Sequence, residues 1–153
     1  MSEPLPPVVA SVRLEAPVAR AFEVFTRDIG RWWPMAYTFA GERLETIEVR
    51  EGQWLERDAE GGETIWGAVT EWDPPRRFTA EFAVSPRRAP EPPDRRSRVR
   101  FEFRPAGDGC EVVATHDRFE RHGEGAAAMR EGMASPHGWP LILAEYAREA
   151  RGR

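Results

Sequence analysis

Six tryptophans, three histidines and one cysteine are the residues through which this chain could hold a ligand or move a proton. His116, His122 and His137 form no H-x-x-x-H pair and no Cys/His zinc spacing, and Cys110 alone cannot complete a metal site. No metal is expected. Gly107-Asp108-Gly109 has no third glycine and separates two strand-like runs, so it reads as a turn and not as a phosphate loop. None of the five serines stands in a G-x-S-x-G elbow. No cofactor is expected either. Cys110 falls on an inward strand position, where a buried inert thiol is the better reading than a nucleophile. What stands out is aromatic. Trp54, Trp66, Phe82, Phe101, Phe103 and Trp139 are too many bulky rings for a simple two-layer core, and a cavity is the expected result.

These rings need elements to position them. Ala10, Val12 and Leu14 alternate with Ser11, Arg13 and Glu15, the period of a strand with one buried face. Pro17 suits the first position of a helix, along which Val18, Phe22, Phe25, Ile29 and Trp32 make one apolar stripe. Gly30 is a candidate break, and Pro34 should end the helical region at Trp33. Residues 42–50, 53–59, 63–72, 78–84, 98–104 and 111–117 are strand-length runs separated by turn residues. Phe78, Ala80, Phe82 and Val84 share one face, as do Val99, Phe101 and Phe103, which is the alternation of an antiparallel sheet covered on one side. Residues 126–134 and the stripe Trp139, Ile142, Leu143, Tyr146, Ala150 are helical. The order strand, helices, about six strands, C-terminal helix predicts an α+β fold whose last helix covers the sheet. Residues 1–7 are expected to be a flexible N-terminus and 8–151 a single domain. Residues 85–97, rich in Pro and Arg, are expected to form a mobile solvated loop.

Composition closes off other classes. Charged residues are 31% and hydrophobic ones 41% of the chain, enough for a real core. A net charge of -4 argues against a nucleic-acid partner. No apolar run approaches the roughly 20 residues of a membrane span. The N-terminus lacks the basic and apolar regions of a signal peptide, so a cytoplasmic protein is expected. All 22 basic residues are Arg, with no Lys and no Asn, which points to a GC-rich bacterial genome.

In order along the chain stand Ala16-Pro17-x4-Phe22, Arg31-Trp32-Trp33-Pro34, Gly67-x-Val69-x-Glu71-x2-Pro74-Pro75-x2-Phe78, His116-x2-Phe119 and Gly138-Trp139-x3-Leu143. This series resembles the SRPBCC (START/Bet v 1-like) superfamily, and within it the AHSA1-like family, from about Val8 to Ala150. The resemblance implies a helix-grip fold, a curved antiparallel sheet around a long C-terminal helix with an apolar cavity between them. Members bind lipids, sterols or polyketides, act as aromatase/cyclases, or serve as co-chaperone domains. The Hsp90 activators resemble this chain only over their C-terminal domain, so co-chaperone activity is not carried over.

Strand parity turns Trp54, Phe78, Phe82, Phe101, Phe103, Val112, Ala114 and His116 inward, with Trp139, Leu143 and Tyr146 closing over them. On 63–72, Ile65, Gly67 and Val69 compete with Trp66, Ala68 and Trp72 for the inner face, and Trp66 would suit a pocket mouth. The expected ligand-binding set is therefore Trp54, Trp66, Phe82, Phe101, Phe103, His116, Trp139, Leu143 and Tyr146, with no catalytic residue assigned. His116 is either a ligand partner or general acid/base, with an ordinary pKa of about 6.5, or a strand-end histidine bonded to backbone. Glu71 is either a cavity carboxylate or a surface partner of Arg76 or Arg77. Tyr37 and Arg31 either gate the cavity or pack beside it. One of Trp32 and Trp33, otherwise anchors, is a candidate for the rim. The reading is a non-enzymatic binder of a hydrophobic small molecule, aromatic or not, in an internal cavity, as monomer or homodimer. A cyclase/aromatase-like enzyme using His116 with Tyr37 or Glu71 is the alternative, and a co-chaperone-like interaction module is the third.

Overall fold

A computed structural model describes residues 4–84 and 90–151. Strand β1 (Val8–Leu14) leads into helices α1 (Val18–Thr26) and α2 (Ile29–Trp32). Six strands follow: β2 (Leu44–Arg50), β3 (Gln53–Asp58), β4 (Glu63–Asp73), β5 (Arg77–Phe82), β6 (Ser97–Ala106) and β7 (Gly109–Asp117). Helices α3 (Ala126–Ala134) and α4 (Trp139–Arg151) complete the described chain. The strands pair antiparallel in the order β1-β7-β6-β5-β4-β3-β2, and α4 lies across their concave face. This is the expected α+β helix-grip fold.

Local chemistry explains the boundaries. Trp33 is extended (φ -63°, ψ 130°) ahead of Pro34, so α2 stops where expected. The helical break falls at Arg27–Asp28 and not at Gly30, because the Arg27 and Asp28 amides both turn to the Glu23 carbonyl. β5 ends at Phe82, two residues early. Ala83 turns its amide to the Trp66 carbonyl, and Val84 pairs only with Pro90.

β4 resolves the open parity by breaking it twice. Trp54 pairs with Gly67 but Leu55 with Ile65, and Val69 pairs with Ala80 but Glu71 with Thr79. Each bulge inserts one residue and shifts the alternation. Both Trp66 and Val69 therefore face inward. Gly67 is required at this crossing, since a Cβ there would lie 1.8 Å from the Glu81 carbonyl oxygen.

The described parts of the N-terminus and of 85–97 make specific contacts. Leu5 packs on the core and its amide donates to Glu120, while Arg130 donates to the Pro6 and Pro7 carbonyls. Within 85–97, residues 85–89 lie outside the described part. The remainder is pinned: Arg95 donates to the His122 carbonyl, Arg96 to the Glu91 carbonyl and Glu81, and Glu91 is buried. Of the arginines expected to be solvated, Arg95 and Arg96 are thus bonded to carbonyls and a carboxylate.

Candidate functional site

His116 belongs to a sealed hydrogen-bond chain. The indole N–H of Trp139 donates to His116 Nδ1 at 3.0 Å, which leaves the proton on His116 Nε2. That nitrogen donates to Ser97 Oγ at 2.7 Å, and the Ser97 hydroxyl then donates to His122 Nε2 at 2.8 Å. His116, His122 and Ser97 are all buried. Burial, aided by the neighbouring His122, holds the His116 pKa well below its ordinary value. A charged His116 would have no acceptor for Trp139. The imidazole is thus bonded to side chains, and it is not among the residues that line the open cavity described next.

The rings expected to line a pocket instead fill one another's space. Trp54 stacks on Trp66 with centroids 5.3 Å apart, and Phe101 lies 5.6 Å from Trp139 and 4.5 Å from Phe25. Phe103 meets Phe22 at 5.1 Å, and Tyr146 meets Phe25 at 4.9 Å while donating to the Ala21 carbonyl. Leu143 is equally buried. Phe22, Phe25, Trp32 and Trp33 from α1, α2 and the residue after them occupy the space between sheet and α4. Of the nine expected ligand-binding residues, only Phe82 reaches the open cavity.

That cavity holds about 420 Å³ and lies at one end of the grip. Trp33, Phe39, Phe82, Val84, Met133 and Ile142 form its apolar walls, and Tyr37, Thr38 and His137 bring the polar side chains. Among the described residues no carboxylate and no guanidinium lines it. Roughly 300–1,000 Å³ with mainly apolar walls and few polar groups is the usual form of a small-molecule site.

A strap at residues 33–41 forms one wall, and its own hydrogen bonds hold it. Trp33 Nε1 donates to the Tyr37 carbonyl at 3.2 Å, and Thr38 Oγ1 donates to the Met35 carbonyl and accepts from the Gly41 amide. The Tyr37 hydroxyl donates to the His137 carbonyl at 2.8 Å, joining the strap to the α3–α4 turn. Beneath it lies Glu56, a buried carboxylate that accepts from the Phe39 and Ala40 amides at 2.8 and 2.7 Å and from Trp66 Nε1 at 2.7 Å. Three donors compensate its burial. In the α3–α4 turn only glycine fits at 138, where a Cβ would lie 2.2 Å from the Met133 carbonyl oxygen.

Sequence reasoning missed Glu56 and His137. Glu56 had a usable signal, a charge two residues from Trp54 on the inward face of β3. His137 had none, because the turn that presents it is set by the packing of α3 on α4. Trp33 supplies the rim tryptophan. Glu71 faces outward, where Thr79 and Arg77 hydrogen-bond it and hold its pKa low. Arg31 is exposed and Tyr37 is on the cavity wall. Burial raises the Cys110 thiol pKa, as an inert thiol requires. Among the described residues no cluster of His, Cys, Asp or Glu could hold a metal, and no helix is long and apolar enough to cross a membrane.

Comparison with known proteins places this arrangement. The solved structure of the anthrahydroquino-gamma-pyrone synthase Txn09 is 31% identical over 97% of this chain and 99% of its own, with a TM-score of 0.63. CalC from Micromonospora echinospora, a self-sacrificing resistance protein, shares the fold at 24% identity, covering 96% of this chain and 95% of its own, with a TM-score of 0.66. NE0264 from Nitrosomonas europaea does so at 17% identity over 95% and 94%, with a TM-score of 0.64. No curated protein matches the sequence. The family described as Activator of Hsp90 ATPase homolog 1-like protein matches residues 15–140, the span that carries β2 to β7, the strap and the first residues of α4. The chain belongs to that AHSA1-like family of the SRPBCC superfamily.

Proposed function

We propose that this protein binds a flat, largely apolar aromatic molecule in the cavity bounded by Trp33, Phe82 and Ile142 and does not transform it. The observation that carries the reading is the lining. Three large apolar rings, Trp33, Phe39 and Phe82, and three aliphatic or thioether side chains face a space of about 420 Å³, with no carboxylate or guanidinium among the described lining residues. Ring-on-ring contact and removal of apolar surface from water supply the affinity.

A second reading is favoured by the 31% identity to a named synthase over nearly the whole chain. In that case the groups available to move protons are Tyr37 and His137, because they line the cavity and His116 does not. General acid–base catalysis needs a titratable group within hydrogen-bond reach of the reacting atom.

Titration with hydroxypyrene, followed by quenching of tryptophan emission, tests the binding reading. A Cβ at Gly132 meets nothing within 4 Å, so a large side chain there projects into open space at the cavity. Gly132→Phe should abolish quenching and leave the denaturation midpoint no lower than wild type, since glycine is the poorer helix residue. Unchanged quenching in this variant would refute the site. Turnover of a polyketide-like substrate that vanishes in His137→Ala would establish the enzyme reading instead.

A further inference from the structure

We infer that the ligand presents a hydroxyl group to the cavity wall and that the Tyr37 oxygen is the acceptor that reads it. The inference rests on the binding reading above and adds the polarity of the ligand's edge. The Tyr37 proton is already committed. It goes to the backbone carbonyl of His137 at 2.8 Å, in a turn that the Gly138 contact with Met133 holds close. A phenol that has given up its one proton can only accept from a further partner. Thr38 also has no proton left to give, because its hydroxyl donates to Met35 at 2.7 Å, and Gly41 at 3.0 Å takes one of its two acceptor sites. The Trp33 indole N–H is likewise spent on the Tyr37 carbonyl.

The strap's side-chain donors are thus consumed within the strap and the turn, and it shows the cavity an acceptor. The His137 imidazole beside it can donate or accept, so it does not discriminate. A ligand hydroxyl gains a hydrogen bond at Tyr37, whereas an ether at the same place sets oxygen against oxygen. Apart from Thr38 the remaining described walls are apolar, and no guanidinium is among the described lining residues. The ligand class is therefore a phenol and not its ether.

Two probes that differ by one methyl group, hydroxypyrene and methoxypyrene, test this. Wild type should bind the hydroxyl probe about fivefold more tightly, the factor expected of one neutral hydrogen bond. In Tyr37→Phe the ratio should fall to one. Loss of the tie to His137 weakens both probes together, so the ratio, and not either affinity, reports the acceptor. His137→Ala keeps the carbonyl that commits the Tyr37 proton, so both affinities should fall and the preference should survive. A preference that persists in Tyr37→Phe, or that disappears in His137→Ala alone, overturns the assignment. Equal binding of both probes to wild type overturns this inference and leaves the binding reading standing. Binding of neither probe overturns both.

Discussion

The aromatic core and the cavity share Trp33 and Phe82, yet the two regions are built in opposite ways. In the core, Trp54, Trp66, Phe101, Phe103, Trp139 and Tyr146 are close to fully buried, and Tyr146, His116, Trp139 and Trp66 spend their polar atoms on one another, on Ser97, on Glu56 or on backbone. In the cavity, Trp33, Phe39 and Phe82 are joined by Ala36, Gly132, Met133, Val84 and Ile142, with Tyr37 and His137 at the polar side. The comparison teaches that a large ring by itself does not mark where this fold is filled. Where Ala36 and Gly132 stand among the rings, space is left open.

Removing the ring at the centre of the filled region should have the largest effect. Trp139→Ala deletes a fully buried indole and leaves His116 Nδ1 without its donor, so a loss of about 3–5 kcal/mol is expected. Chemical denaturation measures it. A midpoint equal to wild type would mean that the core is not built around this side chain.

Glu56 joins the two regions, and altering it should separate them. In Glu56→Gln one carboxylate oxygen becomes an amide nitrogen facing an N–H donor, either of the strap or of Trp66. A stability loss of roughly 1–3 kcal/mol should result, the cost of an unsatisfied buried group. Probe affinity should fall as well, because the strap is a cavity wall. Full stability with lost binding would assign Glu56 to the cavity alone. Lost stability with full binding would assign it to the core alone.

Acid should act on the filled region with a smaller and graded effect. The native His116 pKa is lowered, whereas in the unfolded chain it returns to about 6.5. Above that pH the group is neutral in both states, and its contribution is fully present. Below it the unfolded chain takes up a proton that the native state refuses. Stability should therefore fall with falling pH, by up to about 1.4 kcal/mol per pH unit for this one proton. The window from about pH 6.5 to 5 lies above the range of Asp58, Glu71 and Asp73, whose native pKa values are lowered from ordinary carboxylate values. His116→Gln, which keeps an acceptor for Trp139, should flatten the slope there. An unchanged slope in that variant would place the titration elsewhere.

The same contrast explains how much of the protein was legible in its sequence. Alternation in β5 and β6 and the stripe on α4 gave the sheet, its buried face and the covering helix, because each follows from one local period. β4 was not decidable by parity, since two bulges shift its alternation and bring Trp66 and Val69 to the same side. The inward rings were correctly placed on the buried face, but burial does not tell packing from lining. That distinction depends on what α1 and α2 insert between the layers, Phe22 and Phe25 above all. The cavity wall was illegible for a related reason. Residues 35–43 have no period, and their path is set by Glu56 and by the Tyr37–His137 bond, which spans 100 positions.

The six indole N–H resonances offer the most direct measurement, because each tryptophan reports one region of the molecule. Titration of isotope-labelled protein with hydroxypyrene should move the Trp33 signal most, since that ring lines the cavity and its N–H is bonded to the strap. Trp139 and Trp72, which do not line the cavity, should move least. A largest shift at Trp139, with Trp33 unmoved, would contradict the placement of the ligand and return it to the space between the sheet and α4.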